Sequence, residues 1–159
     1  MSAAKQAGCA LCEATGTDTA LPIAEDERLR VIRVLDAPDF PAFYRVIWNA
    51  HAAELSDLST ADRDHCLCAV VAVERVLRHA LQPTKINLAA LGNMVPHLHW
   101  HVIARFEWDA QFPQPIWGPR QRTLDAPAAS RLAVPLEGLD AQVRAALLPL
   151  ISTPHSSPP

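Results

Sequence analysis

The sequence predicts an α+β fold, in which an antiparallel β-meander packs against a long helix and a C-terminal helix. Segments rich in β-branched and aromatic residues follow one another across short loops, which favours antiparallel neighbours. A long central segment carries apolar residues at three- and four-residue spacing, as amphipathic helices do. Separate groups of strands and helices are typical of the α+β class.

Four strands are predicted. The first covers residues 30–35 and the second residues 43–48, and both are rich in β-branched or aromatic side chains. The third covers residues 85–88, followed by a turn at Gly92. The fourth covers residues 97–106 and contains three histidines. Residues before position 20 are rich in alanine, glycine and threonine, so little regular structure is expected there.

Two helices are predicted. Ser59 has the character of an N-cap, with Asp62 three residues later, and the helix that follows is expected to end near Leu81. A second helix is expected over residues 139–151, with Asp140 as its cap.

Length and composition predict one domain and exclude some functions. Of the 159 residues, 50% are hydrophobic, which suits a single domain over residues 1–151 with its core in 9–106. Residues 152–159 offer little to bury and are expected to be a disordered tail. With a net charge of −3 and no basic run, the chain lacks the features that bind a nucleic-acid polymer. It also lacks an apolar stretch for a membrane span or signal peptide, which indicates a cytoplasmic protein with reduced cysteines.

Three histidines alternate at positions 97, 99 and 101. In a strand, residues two apart share a face, so the three imidazoles are expected to project together. Such a row is compatible with accidental surface histidines, with part of a metal site, or with phosphoryl or nucleotidyl transfer. The last is chemically apt, because a neutral imidazole is a good nucleophile near neutral pH and a neighbouring imidazole can donate to phosphate oxygens.

The segment Asn87 to Ile103 resembles the signature of the histidine-triad (HIT) superfamily. Three alternating histidines, each followed by apolar residues, come after a strand containing asparagine and a turn containing glycine. The resemblance implies a HIT-like fold and an enzyme that hydrolyses or transfers at the α-phosphate of a nucleotide conjugate. It suggests dinucleoside polyphosphates, nucleoside phosphoramidates or nucleotide sugars as substrates, and a homodimer.

The resemblance also assigns roles to individual residues. His99 would attack phosphorus and form a covalent nucleotidyl-histidine, and His101 would contact the phosphate oxygens. Asn87 matches the phosphate-side asparagine of the family, and Asn93 would hydrogen-bond the phosphate or the leaving group. Asp36 either binds the ribose hydroxyls or is an ordinary turn aspartate. The alternative to an enzyme is a low-turnover, nucleotide-binding regulator that retains the fold.

A zinc site is the second feature that resemblance suggests. By itself, the pair Cys9 and Cys12 is compatible with a metal chelate, a redox pair or no role. Residues 45–51 resemble a strand of galactose-1-phosphate uridylyltransferase, a distant relative with a structural zinc. That resemblance implies that Cys9, Cys12, His51 and His97 hold one structural zinc per chain. The alternative is that His97 belongs to a proton relay.

An aromatic segment follows the histidine strand. Residues 111–117 end in Trp117 and include two prolines and a phenylalanine. This loop could cover a nucleobase or pack across a dimer, and the sequence leaves both interpretations open.

Overall fold

The computed structural model describes residues 4–13 and 19–151. Those residues form five strands in one sheet, three α-helices and two short 3₁₀ segments. The elements are β1 (Ala20–Glu25), β2 (Leu29–Val34), β3 (Phe43–Trp48), β4 (Lys85–Ala89), β5 (His99–Arg105), α1 (Ala10–Glu13), α2 (Thr60–Leu81) and α3 (Leu136–Ile151).

All neighbouring strands are antiparallel, and their order across the sheet is β1-β2-β3-β5-β4. The predicted α+β class is therefore confirmed. The first three strands form a meander, and β5 lies between β3 and β4. The histidine-bearing strand thus has a hydrogen-bonded neighbour on each side, which holds its backbone in place.

Helices α2 and α3 cover one face of the sheet and leave the other free for a site. Trp100 and Val102 on β5 point toward the helices, so His99 and His101 point away from them. Within the described ranges, no helix combines the length and the hydrophobicity that crossing a bilayer requires. The most deeply buried residues between sheet and helices are Leu29, Val31, Val46, Val73, Leu77, Val102, Leu139, Val143 and Leu147.

The strand β1 was not predicted. It contains Pro22, and its pairing with β2 is irregular between Pro22 and Ala24. A proline cannot donate to a sheet, so it is tolerated on an edge strand but weakens the local pattern. The tail predicted for residues 152–159 lies outside the described residues.

The predicted start of α2 is confirmed. The hydroxyl oxygen of Ser59 accepts a hydrogen bond from the backbone N–H of Asp62, with 3.2 Å between the heavy atoms. The helix ends at Leu81, and Gln82 follows with a positive φ of 46°. This left-handed cap residue turns the chain into β4.

The predicted start of α3 was wrong, and so was the role given to Asp140. The helix begins at Leu136, and the first turn follows Pro135, whose fixed φ suits a helix start. Asp140 lies inside the helix and is buried. Its carboxylate accepts hydrogen bonds from Arg33 and Tyr44, which lie on neighbouring strands of the sheet. It therefore joins α3 to the sheet instead of capping the helix.

Candidate active site and metal cluster

The three alternating histidines do not share one environment. β5 begins at His99, so His97 precedes the strand instead of opening it. His97 is fully buried, whereas His99 is partly exposed. The rings of His99 and His101 lie side by side, with 4.9 Å between their centroids. Only these last two histidines face the open side of the sheet together.

His97 instead belongs to a cluster with Cys9, Cys12 and His51. One ligand atom from each of the four residues lies within 4.8 Å of all the others. His97 Nδ1 is 3.4 Å from the Sγ atoms of both Cys9 and Cys12, and His51 Nδ1 is 3.5 Å from Cys12 Sγ. The structure therefore brings together the four residues that the resemblance suggested.

The geometry of this cluster fits a zinc ion. In a tetrahedral site with ordinary Zn–S and Zn–N bonds, sulfur and nitrogen ligands lie about 3.5 Å apart, which matches these separations. His97 Nε2 donates a hydrogen bond to the carbonyl oxygen of Trp48 at 2.6 Å. That bond places the proton on Nε2 and leaves the Nδ1 lone pair directed at the cluster. Two thiols and two imidazoles form a closed ligand set typical of structural zinc.

The ring of His99 is held with a fixed proton position. Its Nδ1–H donates to the carbonyl oxygen of His97 at 2.6 Å, which leaves Nε2 unprotonated on the other side of the ring. Burial lowers the pKa of His99, and the positive charge of Arg45 lowers it further, against the opposing effect of the bond to His97. A neutral ring with a fixed proton position is the form of imidazole that attacks phosphorus.

His101 is buried with its hydrogen-bonding groups unused. Neither ring nitrogen has a hydrogen-bond partner among the residues that the structure describes. Burial, followed by the nearby His99 and Arg45, lowers the pKa of His101 to about 4. Buried polar atoms without partners are costly, so this ring is suited to meet a polar ligand.

Arg45 was not predicted from the sequence to belong to the site. Its position on β3 is directly opposite His101 on β5, so the two side chains share the open face of the sheet. The guanidinium lies over the ring of Phe43, with 5.4 Å from Cζ to the ring centroid. The only signal in the sequence was a charged residue in an otherwise apolar and aromatic strand.

The predicted substrate-binding residues lie at different places around this face. Asn87 on β4 pairs with Ile103 on β5, and its side-chain oxygen accepts a hydrogen bond from Arg105. Asp36 is exposed just after β2, and its charge acts on Arg45. Asn93 is exposed in the connection between β4 and β5.

The aromatic loop reaches the site. The indole of Trp117 meets the ring of His101 edge-on, with centroids 5.2 Å apart, and 58% of Trp117 is exposed. The loop is held to β5 by a buried ion pair between Arg105 and Asp109, with a shortest N–O distance of 2.7 Å. An exposed indole against His101 leaves a flat apolar surface at the edge of the site.

Comparison with known proteins places this geometry in a family. The model of the HIT domain matches residues 18–108, which is more than half of the chain. The matched range contains His51 and all three alternating histidines, whereas Cys9 and Cys12 precede it. No curated protein sequence matches the chain.

Solved structures show the same fold. A histidine triad protein from Bradyrhizobium japonicum is 26% identical, with a TM-score of 0.64 over 80% of this chain and 90% of that one. A histidine triad protein from Sinorhizobium meliloti is 26% identical, with a TM-score of 0.63 over 81% and 90%. A zinc-bound histidine triad family protein from Mycobacterium smegmatis is 24% identical, with a TM-score of 0.56 over 91% and 96%.

Proposed function

We propose that this chain, which belongs to the HIT domain family, cleaves nucleotide conjugates at the α-phosphate through a covalent nucleotidyl-histidine on His99. The observation that supports this most strongly is the orientation of His99. Its Nδ1 proton is held by the carbonyl of His97, so Nε2 carries the lone pair on the open face. Dinucleoside polyphosphates, nucleoside phosphoramidates and similar conjugates are the substrates proposed.

The reaction proceeds in two displacements. The lone pair of His99 Nε2 forms a bond to the α-phosphorus, and the bond from phosphorus to the leaving group breaks, with the electron pair going to the leaving group. The hydrogen bond from Nδ1 to the carbonyl of His97 stabilises the positive charge that develops on the imidazole. Water, or another acceptor, then attacks the same phosphorus and gives up a proton to the solvent. The bond from phosphorus to Nε2 breaks with its electron pair returning to the imidazole, which releases the nucleotide and restores His99.

His101 is proposed to stabilise the phosphate during both steps. It is buried beside His99, and neither of its ring nitrogens has a partner within the described part of the chain. An N–H of this ring would donate to a non-bridging phosphate oxygen. Asp36 is proposed to bind the ribose hydroxyls, while Asn87 and Asn93 bind the phosphate or the leaving group.

The cluster of Cys9, Cys12, His51 and His97 is proposed to bind one zinc ion, and a histidine triad family protein from Mycobacterium smegmatis is zinc-bound. When bound, the ion supplies structural cross-linking, because four protein ligands leave no position for substrate. His97 is then a ligand rather than a member of a proton relay. The zinc site holds residues 9–12 against the segment whose carbonyl orients His99.

The test is turnover by the purified protein on diadenosine polyphosphates, adenosine phosphoramidate and nucleotide sugars. We expect at least one substrate to be cleaved at the α-phosphate, and His99→Ala to lose about 10³-fold or more of kcat. Acid-free mass spectrometry after rapid mixing is expected to detect a nucleotidyl adduct on the peptide containing His99. His79→Ala, on the surface of α2, is the matched control and is expected to retain activity.

Equal turnover by the wild type and His99→Ala on every substrate would contradict the proposed nucleophile. Nucleotide binding without any turnover would instead favour a regulator that retains the fold. The homodimer expected from the resemblance is a separate prediction, and sedimentation that shows only monomer at micromolar concentration would contradict it.

A further inference from the structure

Arg45 differs from the other arginines of the sheet in having no polar partner. Among the described residues it makes no hydrogen bond and no ion pair, and its Nε is buried without a partner. A guanidinium carries five N–H donors, and leaving them unpaired in a partly buried position is costly. The unpaired guanidinium of Arg45 is therefore a candidate group for binding an anionic ligand.

The other three arginines of the sheet all have polar partners. Arg33 on the helix-covered face is paired with Asp140 at 2.9 Å. Arg105 on the open face is paired with Asp109 at 2.7 Å. Arg30 donates to the side chain of Asn49 and to a backbone carbonyl, at 2.9 Å and 2.6 Å. Arg45 alone of these four lacks such a partner within the described residues.

The position of Arg45 indicates which anion it would bind. On β3, Arg45 is paired with His101 on β5, and Ile47, two residues further along, is paired with His99. Asp36 follows the end of β2 that lies beside the start of β3, so it is on the other side of Arg45 from Ile47. If the ribose lies at Asp36 and His99 attacks the α-phosphorus, the α-phosphate attached to that ribose lies between these two residues. Arg45 lies between them on the open face of the sheet.

We infer that Arg45 binds the α-phosphate of the nucleotide and sets the preference for a 5′-phosphorylated nucleoside over a nucleoside. This inference rests on the proposed function. The planar guanidinium donates to non-bridging oxygens of the phosphate, while His101 donates from the opposite strand. Phe43 beneath the guanidinium keeps it in position. Together, Arg45 and His101 would stabilise the negative charge that the phosphate oxygens carry during transfer.

The test compares the binding of AMP and adenosine by isothermal titration calorimetry, in the wild type, Arg45→Gln and Arg45→Lys. We expect Arg45→Gln to weaken AMP binding about 10- to 100-fold, as loss of a charge-assisted hydrogen bond does. Adenosine binding is expected to change less than about threefold. Arg45→Lys restores the charge without the planar fork and is expected to recover part of the affinity for AMP.

The matched control is Lys85→Gln, which removes one positive charge from the exposed edge strand β4. It is expected to leave the ratio of AMP to adenosine affinity unchanged. Thermal unfolding of each variant separates a lost contact from a lost fold, and Arg45→Lys provides the folded comparison if Arg45→Gln is unstable.

The outcomes of this experiment distinguish a failure of the Arg45 inference from a failure of the proposed function. If the wild type binds AMP but Arg45→Gln keeps the same ratio of AMP to adenosine affinity, Arg45 is not a phosphate-binding residue, and the proposed function stands. If the wild type binds no nucleotide and cleaves no conjugate, the proposed function itself fails. A parallel loss of AMP and adenosine affinity would show that Arg45 only supports the shape of the site.

Discussion

The Nδ1 atom of His99 lies 2.6 Å from the carbonyl oxygen of His97. The side chain of His97 is in the metal cluster, and its backbone carbonyl fixes the proton position of His99. His97 therefore contributes its side chain to the proposed zinc site and its carbonyl oxygen to the orientation of the proposed nucleophile.

Loss of a cluster cysteine is expected to remove the metal and destabilise the protein. Cys12→Ser should reduce bound zinc from about one equivalent to a small fraction and lower the free energy of unfolding by more than about 2 kcal/mol. Activity should fall as well, because His97 no longer holds its position. Metal analysis, urea denaturation and turnover measure these effects on the same preparation.

The control for this prediction is Cys68→Ser, an exposed cysteine on α2 outside the cluster. It is expected to keep the zinc content, stability and activity of the wild type. Full retention of zinc by Cys12→Ser would show that the cluster is not the metal site.

The ligand-free protein is expected to lose stability on acidification partly through His101. Its pKa falls from 6.5 to about 4 in the fold, chiefly because burial disfavours the charged ring. The unfolded chain therefore binds more protons between these values, so the free energy of unfolding falls as the pH falls through this window. Between about pH 7 and pH 5, this one group contributes a loss on the order of 2 kcal/mol.

The measurement is urea denaturation at a series of pH values for the wild type and His101→Gln. The variant lacks the titrating ring, so its stability is expected to decline less steeply over the same interval. His79→Gln, on the exposed surface of α2, serves as the control and should follow the wild-type slope. Parallel curves for the wild type and His101→Gln would contradict the lowered pKa.

Removal of the Asp140 carboxylate is expected to be strongly destabilising. The structure buries this group and gives it Arg33 and Tyr44 as partners, and burial together with the hydrogen bond to Asp140 raises the pKa of Tyr44. Asp140→Ala leaves a buried guanidinium without its counter-charge, which costs about 3–5 kcal/mol. Asp125→Ala, at a largely exposed carboxylate, is expected to change stability by less than about 0.5 kcal/mol.

Trp117 is expected to contribute to the binding of nucleotides. More than half of its surface is exposed although it lies against His101, so the indole can stack on a base. Trp117→Ala should raise KM about 3- to 10-fold with a smaller effect on kcat. Trp108→Ala is the comparison, since that indole stacks on Phe106 away from His101. A change in oligomeric state without a change in KM would favour packing across a dimer.

Much of the fold follows from sequence patterns that act locally. The strand over residues 43–48 has the predicted bounds, and the helix cap at Ser59 is the predicted one. These features depend on β-propensity and on one short-range hydrogen bond, so nearby residues are enough to predict them. The beginning of α3 was missed because Asp140, which has the character of a cap, is used in a long-range ion pair.

In the candidate site, too, local features could be predicted from the sequence and long-range contacts could not. The alternation of histidines predicts the shared face of His99 and His101, but it places His97 there as well. Only family resemblance separated His97 from the other two, since spacing says nothing of partners 85 and 88 residues away. Arg45 was missed because its significance depends on register: it matters only once β3 is known to pair with β5 opposite His101.

The metal cluster also has a consequence for the stability of the folded chain. Its ligands come from the N-terminal segment, from the connection that follows β3 and from the segment before β5, with sequence separations of up to 88 residues. A metal held by all four closes two long loops in the folded chain, and because the four ligands come together only in the fold, the free energy of metal binding adds to the stability of the folded state. Unlike a disulfide, this cross-link can form in a reducing compartment and is reversed by a chelator.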